Sequence, residues 1–365
     1  MERSLYFEYT EKWFPGLVRE IAEKLNEVRT DKNVLTYLYR NHLTPQYSAD
    51  GRWASVTAEY TRVAADVVSL DSELPLKSRD AITTATGSIP KLGLKVYLTE
   101  KQMKDLDAMI ATNTPPAQVI QNMFADVPRV IEAIYERIED MFLSELSSGV
   151  GVSTRSGGTG VRIDVGFLPE NKFYASVLWS DVDNSAPLDD IQKIFDKALA
   201  DQNVITDVFA DDTALNNLYK SKQVRGQYAF NQGIATVGQQ SNVPVLDYEK
   251  VASVFQSKWG ITLHRVARKI KTELNGKKQN HTPWANGVMT FTCSDQLGDL
   301  VWTNCAEATR PVAGVVYETV DDFILTSRYS QNDPLREFTS SQAMVVPILS
   351  NVDQIYTIDS TAVSA

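Results

Sequence analysis

Between Pro115 and Ser148, the residues Val119, Met123, Val127, Ile131, Ile134, Ile138, Met141, Phe142 and Leu146 return every three or four positions. No other stretch limits the fold as tightly, because such spacing lines one helix face with apolar side chains that must be covered along their length. At about 1.5 Å per residue the span reaches roughly 45 Å. Pro128 interrupts it. Proline fits a first helical turn but not an interior, which predicts a break with Asp126 as cap, or a bend there. "SSGVGVSTRSGGTG" then ends the helix and starts a glycine-rich connector.

Upstream, Leu17, Ile21, Leu25 and Val28 give an amphipathic helix within residues 11–40, followed by a shorter one ending near Arg40. The period then changes. Val56, Ala58 and Tyr60 alternate with polar neighbours, as do Leu92, Leu94, Val96 and Leu98, and both runs read as half-buried strands. The polar segment between them, "LDSELPLKSRDAITTATGSIP", exceeds the roughly 12–15 residues of an ordinary loop. A two-stranded arm reaching away from the core accounts for it, with a loose surface hairpin as the alternative. Downstream, "VRIDVGFLPENKFYASVLW" reads as two strands, and "APLDDIQKIFDKALADQ" as a helix with Pro187 near its start. "VITDVFADDTALNNLYKS" reads as strand, turn and helix, and "DYEKVASVFQSKWG" as a helix stopped by Gly260. "ITLHRVARKIKTEL" and "GVMTFTCSD" read as strands. With no regular βαβ repeat, the fold class is α+β.

At 365 residues with 43% apolar and 22% charged, the chain has room for two or three domains. No run approaches the roughly 20 apolar residues of a membrane span, and "MERSLYFEYTEKWF" lacks an apolar signal core, so a soluble protein made in a cytoplasm is expected. Cys293 and Cys305 have no second pair, which supports neither a disulfide framework nor a zinc site. A formal charge of -10 argues against a chain whose main task is gripping phosphates.

Catalytic motifs are sought and not found. "GVGVST" and "SGGTGV" lack the glycine and Lys-Ser/Thr positions of phosphate-binding loops and follow a helix where those loops precede one. His42, His264 and His281 are scattered, and His264 reads as a strand residue. Asp181 and Asp183 beside Trp179 could form a glycosidase dyad. A calcium loop is disfavoured because Ala186 stands where its turn glycine belongs, and solvated turn residues capping the next helix are the plainer reading. The basic stretch "RVARKIKTELNGKK" reads as a charged strand edge, with nucleic-acid contact as the alternative.

The last stretch, "DPLREFTSSQAMVVPILSNVDQIYTID", carries the most information about function. Val345, Val346, Ile348 and Leu349 form an apolar run too short for a helix, and Pro347 cannot donate a ladder bond. These features predict a partly exposed strand at a sheet edge or bulge, with Phe338 packed on the long helix near Ile134 or Ile138. In Asp333, Pro334, Arg336, Glu337, Phe338, Thr339, Gln342, Pro347 and Asp353, this stretch resembles the C-terminal signature of the lambda-type phage major capsid protein E family. "VSLDSELPLKSRDAITTATGSIPKLGLKVYLTEKQM" is similar to the extended loop of related capsid proteins, and "VPRVIEAIYERIEDMFLSELSSGVGV" to their long helix. "VLWSDVDNSAPLDDIQKIFD" is similar to the pattern leading into their central domain. The resemblance spans about residues 50–200 and 332–360.

The resemblance implies the tailed-phage major capsid fold of the Hong Kong ninety-seven type. Its parts would be an N-terminal arm (1–50), an extended loop (51–99), a peripheral domain with the spine helix (100–196), an axial domain (197–331) and C-terminal strands returning to the peripheral domain (332–365). It further implies a structural, non-enzymatic protein without cofactor that assembles, as procapsid and mature head, into an icosahedral shell around packaged double-stranded DNA. Pentamers and hexamers of the chain would form that shell, with scaffold, portal and decoration proteins as partners, in the virion after assembly in the host bacterial cytoplasm. Leu74, Pro75, Arg79, Ile89, Pro90, Phe338 and Pro347 would be the residues serving assembly and structure. Two other readings are an encapsulin-like cargo shell and a soluble carbohydrate-active hydrolase using Asp181 and Asp183.

Overall fold

The computed structural model describes residues 2–26, 37–58, 82–153, 161–233, 245–274 and 277–363. The first part of the chain holds α1 (Phe7–Asn26), the short α2 (Tyr39–His42) and β1 (Leu43–Tyr47). An antiparallel hairpin, β2 (Arg52–Ala58) and β3 (Ile82–Ser88), leads to β4 (Lys91–Leu98) and α3 (Glu100–Ala111). The long periodic run is divided into α4 (Pro116–Met123) and α5 (Val127–Ser148), so the break at Pro128 is observed. Pro128 lies in the first turn of α5, where its missing N–H has no intrahelical partner to lose. Asp126 stands at the cap position, yet its side chain makes no capping bond. Gly149, at φ +77°, closes α5 in the left-handed conformation that glycine adopts without strain.

The start of the glycine-rich connector is a strand, where the sequence suggests a loop. Val150–Ser153 forms β5, paired antiparallel with β6 (Val161–Asp164). Gly151 explains the close approach, since a Cβ there would lie 2.5 Å from the Glu145 carboxylate on α5. The residues between the two strands lie outside the described part.

Next come β7 (Lys172–Ala175), α6 (Pro187–Ala200), β8 (Asp207–Asp211), α7 (Asp212–Lys220), α8 (Lys222–Asn231) and α9 (Tyr248–Trp259). The stretch read as one strand after Gly260 is two, β9 (Thr262–Val266) and β10 (Ile270–Leu274), the latter paired with β11 (Lys277–His281). The chain closes with β12 (Val288–Thr292), β13 (Gly298–Thr303), α10 (Ala306–Thr309), β14 (Val316–Val320), β15 (Ile324–Gln331), β16 (Arg336–Leu349) and β17 (Ile355–Val363).

Two sheets organise two cores. One sheet runs β1-β13-β16-β15-β14, with β4 also paired to β16, and buries α5 and α1 against it. The other runs β7-β17-β12-β8-β9 and is covered by α6, α7, α8 and α9. Packing therefore groups residues differently from the expected domain edges. The segment from β7 through α6 joins the second core, β13 to β16 join the first, and α1, in the expected N-terminal arm, is anchored by the fully buried Phe14 and Val18.

Three expectations for the closing stretch need correction. The strand holding Pro347 is buried, not partly exposed: β16 pairs with β15 and β4 over its first part and with β13 alone from Val345 on, so the expected edge position holds at Pro347 while the expected exposure does not. Beyond Met344 only β13 is laddered to it, so the missing N–H of Pro347, opposite Leu300, removes at most one ladder bond. Phe338 does not meet Ile134 or Ile138. Side chains alternate along a strand, and Ser341, two positions from Thr339, donates its hydroxyl to the Val130 carbonyl of α5 at 2.5 Å. Phe338 is out of phase with both, so it lies on the opposite face between Tyr97 and Tyr329, with ring centroids at 5.8 and 5.3 Å. Finally, only β16 returns to the first sheet. β17 crosses to the second, between β12 and β7, and places the fully buried Tyr356 and Ile358 in the second core.

Candidate functional site

The structure brings none of the residues considered for chemistry together as a catalytic site. Trp179 is fully buried and donates its indole N–H to Asp190 at 3.1 Å, so it offers no face for stacking a sugar. Asp181 and Asp183 are exposed. The Asp181 carboxylate accepts from the side chain and backbone of Asn184, and these bonds hold its pKa below the ordinary value. It closes its own turn and does not cap α6, whose cap position is Ala186. Sequence reasoning missed Asp190. This buried carboxylate accepts from Ser176, Trp179 and Lys193 and ties β7 to α6.

The histidines are structural partners, each in a different place. His264 on β9 lies 2.7 Å from the Asp207 carboxylate and stacks on Phe209. Burial pushes the Asp207 pKa up, but the hydrogen bonds from His264 and Thr206 outweigh it and leave it lowered. His42 is bonded to the Asp295 carbonyl at 2.7 Å, and His281 lies 3.2 Å from Asp140. Burial pushes the Cys293 thiol up to about 12, which disfavours the nucleophilic thiolate. Among the described residues no group of three His, Cys, Asp or Glu side chains could hold a metal ion. The basic stretch is partly neutralised, since Arg265 pairs with Asp212 at 2.6 Å and the buried Arg268 pairs with Glu136.

What the fold does build is a set of ties between distant parts of the chain. Arg328 on β15 and Glu337 on β16 form a fully buried ion pair, Nε to Oε1 3.0 Å. Arg328 also donates to the Met123 carbonyl at the end of α4 (2.8 Å) and lies 4.7 Å over the Phe124 ring. Glu337 accepts from the Ser4 hydroxyl and from the Leu5 backbone N–H at 3.0 Å. Glu2 and Ser330 exchange backbone bonds of 3.0 and 3.1 Å. One buried charge pair therefore fastens the N-terminal segment, the α4–α5 junction and the closing hairpin together. A signal for it exists in the sequence. Arg328 and Glu337 flank the Asn-Asp-Pro turn on the strand face that also carries Thr326 and Thr339.

Within the expected assembly residues, Leu74, Pro75 and Arg79 lie outside the described residues. Ile89 is buried and Pro90 half-buried at the base of the β2–β3 hairpin. Among the described residues that hairpin pairs with no other strand.

Against solved structures, the chain aligns over 98% of its length with 99% of a protein described as the capsid protein of an Escherichia coli CFT073 prophage, at TM-score 0.58 and 12% identity. It aligns over 95% of its length with 98% of a phage-related protein from Bordetella bronchiseptica RB50, at TM-score 0.51 and 10% identity. It also aligns over 92% of its length with 96% of a cyanophage A-1(L) capsid chain, at TM-score 0.50 and 11% identity. These likenesses give the fold, that of the tailed-phage shell proteins. A search of curated proteins finds no match. The family model described as phage major capsid protein E matches residues 27–350. A chain matched over that range, folded as two cores with a spine helix, is a structural shell-forming protein, and it belongs to the phage major capsid protein E family.

Proposed function

We propose that copies of this chain assemble as pentamers and hexamers into an icosahedral shell enclosing packaged double-stranded DNA, acting without catalysis. In this reading the six-stranded sheet with α1 and α5 is the peripheral domain, the five-stranded sheet with α6 to α9 is the axial domain, and β2–β3 is the stem of the extended loop. The observation that carries it is the hairpin: among the described residues β2 and β3 are laddered only to each other, while the flanking strands β1 and β4 both belong to the six-stranded sheet. A two-stranded ribbon is marginal alone in water, so the arm beyond the core-held Trp53 and Ser55 would be supported by what it meets outside its own subunit. Leu74, Pro75 and Arg79 would make those contacts, Ile89 and Pro90 would hold the base, and Phe338 and Pro347 would serve the subunit's own sheet. Scaffold, portal and decoration proteins would be its partners in the virion, with assembly in the host bacterial cytoplasm.

Replacing residues 59–81 with a short Gly-Ser turn tests this division. The shortened chain is expected to stay soluble and folded, with its melting temperature lowered by no more than a few degrees, because loop length alone changes stability by only about 0.6 kcal/mol per doubling. It should form no shells. Normal shells from the shortened chain, or loss of the fold, would overturn the assignment.

A further inference from the structure

Specific contacts hold the base of the β2–β3 hairpin on the first core. At its entry, Ser48 Oγ lies 2.8 Å from the Asp50 carboxylate and 2.6 Å from the Arg52 carbonyl, and Gly51 takes φ +69°, a conformation costly for other residues. At its exit, the Ile89 N–H donates to the Gly51 carbonyl at 3.0 Å and closes the base. Beside this base lies an open cleft of about 740 Å³, bordered by Tyr47, Asp50, Trp53, Thr86, Gly87 and Val301.

Two further contacts tie the hairpin down. Trp53 and Gly87 are cross-strand partners, and the indole lies so close over the glycine that a Cβ at position 87 would sit 2.7 Å from Nε1. An aromatic ring over a facing glycine pins strand register and buries the ring, here to 7% exposure within the first core. Ser55, two positions along the same face, is 1% exposed and donates its hydroxyl to the Leu349 carbonyl at the end of β16, at 2.8 Å. The ring fastens the two strands to each other and to the core. The hydroxyl fastens the hairpin to the last residue of the central strand.

We infer that Trp53, Ser55 and Gly87 form a lock that fixes the hairpin's angle, and that they are positioning residues for shell assembly. The inference rests on the reading of the hairpin as an arm between subunits. A subunit whose arm points a few degrees away still folds, but it presents its contacts to the next copy in the wrong place, so particle curvature and closure suffer before stability does.

The test uses full-length Ser55→Ala and Gly87→Ala chains beside the chain with residues 59–81 replaced. Melting, amide hydrogen exchange and particle images are recorded for each. Both point variants are expected to keep wild-type circular dichroism while amide exchange in residues 52–58 and 82–88 accelerates about tenfold or more. Closed shells should fall about tenfold in yield or give way to open sheets, tubes and particles of altered diameter. Ser55→Ala alone carries the test if Gly87→Ala fails to fold, because it removes one hydroxyl and leaves the backbone untouched. Shells of unchanged yield and diameter from Ser55→Ala, while the arm-replaced chain forms none, would overturn the lock and leave the arm reading standing. Normal shells from the arm-replaced chain would overturn the arm reading, and the lock with it.

Discussion

A chain ended at Ser330 is expected to be insoluble or unfolded, with loss of helical circular dichroism and no cooperative melting. The truncation removes β16, which is laddered to β15, β4 and β13, and β17, which lies between β12 and β7 in the other sheet. Both cores are opened by one cut. Val345, Val346, Leu349, Tyr356 and Ile358 are each fully buried, and truncating a single buried side chain of this kind typically costs about 2–5 kcal/mol. A whole domain is stable by only about 5–15 kcal/mol, so the removal of five such residues exceeds what the fold has in reserve. A soluble truncated chain with unchanged circular dichroism and melting would show that the closing strands are not part of either core.

The second large effect is expected at the buried ion pair. Arg328→Met leaves Glu337 in a fully buried site without its cation, and Glu337→Gln leaves Arg328 without its anion. Burial already pushes the Arg328 pKa down, against the attraction of Glu337. Breaking one side of such a pair costs about 3–5 kcal/mol, whereas replacing both partners by apolar groups is often close to neutral. Each single variant is therefore expected to melt well below the wild type, and Arg328→Met with Glu337→Leu to recover most of the difference. The recovery should be incomplete, because Ser4 and the Leu5 N–H lose their acceptor and the Met123 carbonyl loses its donor. Chemical denaturation of the two singles and the double measures the coupling. Additive losses in the double variant would mean that the two side chains act independently.

The helical parts of this fold were the most legible, and for identifiable reasons. Apolar spacing marked the long run, Pro128 marked its division, Pro187 the start of α6, and Gly260 the end of α9. Each signal is local: a missing N–H or a left-handed glycine acts on its own turn. The closing strands were less legible because a strand has two faces and its sequence does not say which face meets the helix. Phe338 is the most apolar residue of its segment, yet the face turned to α5 is that of Thr339 and Ser341, whose hydroxyls serve the Arg328 network and the Val130 carbonyl. Likewise "VVPIL" reads as an edge run guarded by proline, and only the elements packed on it decide that this edge is buried and not open to solvent. The transfer of β17 to the second sheet could not be read from the tail alone, since its neighbours β12 and β7 are remote in sequence. The same limit hid the lock at the hairpin base. Trp53 and Gly87 face each other only because β2 and β3 pair in one register, and Ser55 meets Leu349 from the far end of the chain.

In the proposed reading this chain is a subunit of a closed shell, with an arm that reaches beyond its own subunit. Electron microscopy of assemblies formed by the full-length protein, carried to a resolution that traces the backbone, tests it most directly. The account predicts closed icosahedral shells in which β2 and β3 keep the base described above while the arm they carry lies against a neighbouring copy. A protein that stays dispersed as single subunits in every assembly condition, or a shell in which the arm touches only its own subunit, would contradict it.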